Sequence, residues 1–217
     1  MKIGVFDSGI GGKAVATRLQ ELIPNAEIIS VDDHRHVPYG SRPNAEIISL
    51  TQTAIQPLID AECDVIVIAC NTATTVAINH LREMFPLVPF VGIEPMIKPA
   101  AALTITKKIT VLATPATLAS ARYKELKKLW ANNVHIDEPD CNDWAELIEA
   151  NRSKEVPIAG VVRNAIDNGS DVIVLACTHY HYLTSAAVAT AEKRATILEP
   201  SDAIARRIKT ILSYSGN

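Results

Sequence analysis

The stretch "DVIVIAC" runs from Asp64 to Cys70, and "DVIVLAC" runs from Asp171 to Cys177. They differ only at Ile68 against Leu175. A short apolar, β-branched run with no polar alternation reads as a strand buried on both faces, as in a parallel sheet covered by helices. Each run ends on a thiol followed by polar residues that open the next element: Asn71 and Thr72 after Cys70, Thr178 after Cys177. A second pair stands nearby, "KIGVFDS" from Lys2 to Ser8 and "KITVLAT" from Lys108 to Thr114. Its offset is 106 residues (2 to 108), against 107 for the cysteines (70 to 177). Two matches at nearly one offset predict two similar α/β halves in tandem.

Outward from these runs, "AEIISV", "VPFVG", "NVHI" and "ATIL" are further strand candidates. They alternate with amphipathic segments such as "ATTVAINHLREMF" and "TLASARYKELKKLW", each read as helical. The expected fold class is α/β, two similar doubly wound parallel-sheet domains as tandem pseudo-symmetric halves with the active site between them. The first domain is expected over 1–95 plus 200–217 and the second over 96–199. The closing segment "LEPSDAIARRIKTIL" reads as a helix capped by Ser201 or Asp202 that could fold back onto the first half. "PNAEIIS" occurs at Pro24–Ser30 and again at Pro43–Ser49. The first copy is read as entering a strand and the second as opening a helix, because local propensity yields to context.

The chain has 217 residues, 48% of them hydrophobic and 21% charged, with a net charge of −3. No excess of Lys and Arg marks a nucleic-acid surface. No apolar run approaches the ~20 residues of a membrane span. The opening "MKIGVFDSGIGG" is broken by Asp and Gly, so it is not read as a signal segment. Four cysteines, Cys63, Cys70, Cys141 and Cys177, are too few for a disulfide scaffold, and a cytoplasmic location with reduced thiols is expected.

In open α/β sheets, ligands bind beyond the carboxyl ends of the strands. Both repeated cysteines are expected there, where a helix N-terminus favours thiolate. The plainer reading, two buried core cysteines, is weakened by their equivalent positions and polar followers. A zinc site needs three or four ligands; Asp7 and His179 could be added, but no zinc-finger spacing is present, and no metal is expected. Cys63 and Cys141 lack this context and are read as structural. The glycines of "FDSGIGG" permit a tight turn and close backbone approach, but their spacing is not that of a dinucleotide-binding loop. Asp7 ends its strand as either a turn carboxylate or a functional one. Two thiols from two equivalent halves suit one reaction: one thiolate removes a proton from a tetrahedral carbon, and the opposite thiol delivers one to the other face. Ordinary cysteine is only a few per cent thiolate at neutral pH, so each needs a tuning neighbour. Asp7 for Cys70 and His179 for Cys177 are the candidates.

Taken together, "GVFDSGIGG", "PYG" at Pro38–Gly40, "ACNTA", "GIEP", "ATPATLAS" and "ACTHY" resemble the aspartate/glutamate racemase superfamily, in the family's order over nearly the whole chain. The resemblance implies two α/β domains, a homodimer, and cofactor-independent racemization of glutamate that supplies D-glutamate for peptidoglycan. It implies that Cys70 takes the α-proton from D-glutamate and Cys177 from L-glutamate, assisted by Asp7 and His179. It further implies that Ser8, Asn71, Thr72, Thr114, Thr117 and Thr178, with the loop Pro38, Tyr39 and Gly40, hold the substrate. Glu149 in "DWAELIE" resembles a glutamate sometimes placed near the catalytic histidine; on sequence alone it reads as a solvated helix residue.

There are departures from the pattern. The family usually has proline after "THY", where this chain has His181, either simply exposed or close enough to perturb His179. The second half is short around "EPDCNDW", and "DDHRHVPYG" is more basic than usual. Aspartate or broader amino-acid racemization is the alternative within the class. A non-catalytic amino-acid binder and a Cys70–Cys177 redox sensor are the alternatives outside it.

Overall fold

In the computed structural model, which describes residues 1–214, every apolar run named above forms a strand. The chain divides into two units, Met1–Glu94 with the segment from Pro200 onward, and Pro95–Glu199. The first contains β1 (Lys2–Asp7), α1 (Gly11–Leu22), β2 (Glu27–Asp32), α2 (Asn44–Asp60), β3 (Val65–Ile68), α3 (Asn71–Met84) and β4 (Phe90–Gly92). The second contains α4 (Ile97–Leu103), β5 (Lys108–Leu112), α5 (Pro115–Ala119), α6 (Ala121–Trp130), β6 (His135–Asp137), α7 (Trp144–Glu149), α8 (Ile158–Asp167), β7 (Val172–Leu175), α9 (Thr184–Ala191) and β8 (Thr196–Leu198). α10 (Ser201–Tyr214) belongs again to the first.

Each unit holds a parallel four-stranded sheet, ordered β2-β1-β3-β4 in one and β6-β5-β7-β8 in the other. The sequence repeat is a repeat of register. Ile3 faces Val65 as Ile109 faces Val172, and Ile66 faces Phe90 as Ile173 faces Ile197. The expected tandem α/β architecture is therefore borne out. In each sheet the chain steps outward in opposite directions from β1 and β5, placing a topological switch point at the carboxyl ends of the central strands.

Both central pairs are buried, which is why their sequences run apolar without alternation. The alternation survives in three dimensions. Val65 and Val67 join one core cluster with Val15, Leu19 and Ile208, while Ile66 and Ile68 join the other with Phe6, Leu58 and Leu81. Ile204, Ala205 and Ile208 of α10 lie in the first of these clusters, so the closing helix does return to the first unit. α10 opens at Ser201, which puts both expected caps inside its first turn. There the Asp202 charge suits the positive helix end, and it pairs with Arg18 at 3.4 Å.

The two copies of "PNAEIIS" adopt the two structures expected, β2 and the start of α2. "TLASARYKELKKLW" does not form one helix. Its backbone turns extended at Ser120 (ψ 146°), which ends α5 and caps α6 by accepting from Tyr123 N at 3.1 Å. A serine hydroxyl competing for a backbone donor favours that break.

The repeated aspartate opens each strand as a staple. Asp64 accepts from Lys2 N at 2.7 Å. Asp171 accepts from Thr104 Oγ1 at 2.5 Å, Ile105 N at 2.7 Å and Thr106 N at 2.9 Å, fixing the loop before β5 to the start of β7. Burial raises the pKa of Asp171, but these hydrogen bonds outweigh it and hold the carboxyl below its ordinary value. A depressed folded-state pKa stabilises fully above the unfolded value and is lost as pH falls through the folded one. Asp171→Ala is therefore expected to cost about 1–2 kcal/mol at neutral pH. The gap to wild type should narrow below about pH 4, the unfolded carboxylate range, in paired urea melts at pH 7 and pH 3. Among the described residues, no helix is long and apolar enough to cross a membrane.

Candidate active site

In the first unit, β1 and β3 end side by side and deliver Asp7, Ser8 and Cys70 to one rim. Asp7 is fully buried. Its Oδ2 accepts from Gly9 N at 3.0 Å, and its carbonyl accepts from Asp33 N at 3.2 Å. The turn into α1 is tight enough that a Cβ on Gly12 would lie 2.5 Å from Asp7 Cβ. Glycine there lets the helix start pack directly on the carboxylate-bearing residue.

Cys70, 6% exposed, is the N-cap of α3. Its Sγ receives Ala73 N at 3.4 Å and Ser8 Oγ at 3.2 Å. The sulfur thus faces the positive helix end and a hydroxyl donor, both of which favour negative charge on it. Asn71, also buried, and Thr72 form the first positions of α3. The Pro38–Gly40 loop follows a cis Val37–Pro38 peptide. Tyr39 is buried with its ring 6.4 Å from that of Phe6 and donates its hydroxyl to Asp33 Oδ2 at 2.7 Å. Burial, that hydrogen bond and the Asp33 charge all raise its pKa, so the phenol stays protonated.

In the second unit, Thr114 lies two residues beyond the end of β5 and caps α5, with its Oγ1 3.1 Å from that of Thr117. Cys177, 8% exposed, follows β7. Here the expected helix is replaced by a 3-10 turn, Thr178–Leu183: Tyr180 N donates to Cys177 O at 3.0 Å, where in the first unit Thr74 N reaches Cys70 O one residue further along. Cys177 therefore has no helix-capping hydrogen bond to its side chain. Its neighbour is an imidazole, with Sγ 3.7 Å from His179 Nδ1. His179 Nε2 lies 2.5 Å from Glu149 Oε1, and both side chains are nearly buried at 9% and 12% exposure. Thiol, imidazole and carboxylate form a chain in which the carboxylate orients the ring.

Glu149 is thus no solvated helix residue. The motif resemblance of "DWAELIE" was the signal for this placement; periodicity gave none, because the partner lies 30 residues away on another element. His181 is not exposed either; its side chain is 6% exposed and faces Glu199. The two thiols left out are held differently. Cys63 is buried and its pKa is raised by burial. Cys141 is buried with its pKa pushed up to about 12, chiefly by burial. Among the described residues, no group of three or more His, Cys, Asp or Glu side chains is placed to hold a metal ion.

Comparison with known proteins places this geometry in a family. The profile of Asp/Glu/Hydantoin racemases matches residues 13–208. A glutamate racemase of Roseiflexus sp. is 39% identical over 99% of this chain and 80% of its own length. The crystal structure of Escherichia coli glutamate racemase with L-glutamate and the activator UDP-MurNAc-ala is similar at TM-score 0.83 and 32% identity, over 98% of this chain and 82% of that one. The glutamate racemase of Francisella tularensis with D-glutamate is similar at TM-score 0.77 and 27% identity, over 99% and 82%. With the profile matched over residues 13–208 and relatives similar over nearly its full length, the chain belongs to the Asp/Glu/Hydantoin racemase family.

Proposed function

We propose that the protein racemizes glutamate by a two-base mechanism without a cofactor, with Cys70 and Cys177 each serving one face of the α-carbon. The observation that carries this reading is that each thiol, at an equivalent strand end, has its own activating partners: Ser8 and a helix N-terminus for Cys70, His179 and Glu149 for Cys177. Relatives crystallised with L-glutamate and with D-glutamate support the choice of amino acid.

The α-proton beside an ionised carboxylate is very weakly acidic. Thiolate needs help from fixed dipoles held where water is scarce. Hydroxyls and amides of Ser8, Asn71, Thr72, Thr114, Thr117 and Thr178, with the loop Pro38, Tyr39 and Gly40, would hold the carboxylates and the amine. Cys177, as thiolate beside the His179 that Glu149 orients, would take the proton from L-glutamate and become a thiol, while Cys70 gives its thiol proton to the opposite face and becomes the thiolate. D-Glutamate would react in reverse, Cys70 acting as base beside Asp7. The same reading carries a cytoplasmic homodimer that supplies D-glutamate for peptidoglycan.

Purified protein given L- or D-glutamate should bring either to an equal mixture by chiral chromatography. Failure on glutamate with conversion of aspartate would move the substrate, and failure on both would overturn the reading. Within it, Glu149→Gln is expected to lower kcat by on the order of 10-fold and His179→Asn by on the order of 100-fold, steady-state assays with intact folding by circular dichroism checking both.

A further inference from the structure

We propose that His181 is a positioning residue for the Cys177 half of the site, tying the turn that carries Thr178 and His179 to Glu199 through its Nδ1. The inference rests on the racemase reading for its importance to catalysis. Its geometry stands apart from that reading.

The turn Thr178–Leu183 holds two imidazoles two residues apart. At three residues per turn they project from different sides of the segment. His179 reaches Glu149 on α7 and His181 reaches Glu199, the residue after β8, with Nδ1 3.3 Å from Oε2. Both imidazoles and both carboxylates are largely withdrawn from solvent, at 6% and 15% exposure for the second pair. The turn is therefore held from two directions by carboxylates distant in sequence.

Among the described residues the buried His181 Nε2 has no hydrogen-bond partner, so Nδ1 is the ring nitrogen that meets a polar group. A charged ring would leave an N–H unpaired there as well as a charge out of water. In keeping with this, burial lowers the pKa of His181, with Glu199 opposing. With its proton on Nδ1, the neutral ring turns that N–H side toward Glu199 Oε2, 3.3 Å away.

The second anchor matters because the Cys177–His179 approach is long, 3.7 Å between Sγ and Nδ1, and depends on the pitch of this turn.

The atom assignment makes the test specific. His181→Asn keeps an N–H where Nδ1 was, His181→Gln moves it toward Nε2, and His181→Leu removes it. Two readouts apply to each variant: kcat and KM for glutamate, and the rate at which iodoacetamide alkylates Cys177, followed by peptide mass spectrometry separately from Cys63, Cys70 and Cys141.

The Leu and Gln variants are expected to lose about 10-fold in both kcat and alkylation rate with KM changed less than about 2-fold, while Asn retains most of both. A merely structural prop would, when cut, loosen the turn and speed alkylation. Unchanged or faster alkylation in the Leu and Gln variants would overturn the proposal. Should the Leu variant fail to fold, Asn against Gln decides. A wild type that converts neither enantiomer would sink the racemase reading alone, and the alkylation series would still decide the role of His181.

Discussion

Cys70→Ser and Cys177→Ser should each lower kcat/KM for glutamate by on the order of 10³-fold or more while leaving the fold intact. Serine puts a hydroxyl where the thiol was, at nearly the same volume, but is far too weak an acid to supply an anion at neutral pH. Both directions of racemization should fail in both variants, because every turnover needs one group as base and the other as acid. Cys63→Ala and Cys141→Ala are the controls. Those thiols are buried among core residues with burial raising their pKa values, so their loss is felt as stability, about 1–2 kcal/mol, with kcat near wild type. Circular dichroism with chiral assays of the four variants separates the outcomes. Equal losses in all four would point to a folding role for every cysteine.

Gly12→Ala should injure stability and activity together. The added Cβ would fall 2.5 Å from Asp7 Cβ and 3.6 Å from Asp7 Cα, and neither is the far end of a flexible side chain. α1 must move away from the end of β1, at a cost of about 1–3 kcal/mol. Asp7 moves with it, and a displacement of this size in a positioned group lowers kcat by roughly 10- to 100-fold. Gly160→Ala in α8 is the contrast, since a Cβ there meets nothing within 4 Å. It should raise stability by about 0.5–1 kcal/mol and leave activity alone. Urea melts and initial rates on the pair check both halves, and a Gly12→Ala variant as stable and active as wild type would contradict the packing argument.

What the sequence disclosed was whatever its period or its repetition encodes locally. "DVIVIAC" and "DVIVLAC" announced buried central strands because a strand covered on both faces has no solvent side to mark with polar residues. Their common offset with the "KIG" and "KIT" runs announced the second sheet, and the register of β1 with β3 recurs in β5 with β7. Asp7, Cys70, Cys177 and His179 stood out as candidates because strand ends carry ligand sites in such sheets, and Ser8 through the family resemblance.

The rest was hidden for physical reasons. Glu149 and His179 meet across 30 residues, and His181 finds Glu199 on a separate strand end. No periodicity reports a pairing of that kind. The break at Ser120 was hidden as well, because a serine within a run of good helix formers reads as surface until its hydroxyl is seen to take Tyr123 N. The asymmetry of the two thiols was the least visible. Near-identical strands precede them, yet one caps a helix and the other opens a 3-10 turn beside an imidazole.

The most direct test of two opposed bases is proton NMR of L-glutamate converted in deuterated water, read during the first few per cent of reaction. Two thiols predict deuterium at the α-carbon of the D-glutamate formed and protium still at that of the remaining L-glutamate, since the proton removed and the deuteron delivered ride on different sulfurs. Deuterium entering both enantiomers at equal early rates would indicate a single base serving both faces, and would contradict the account.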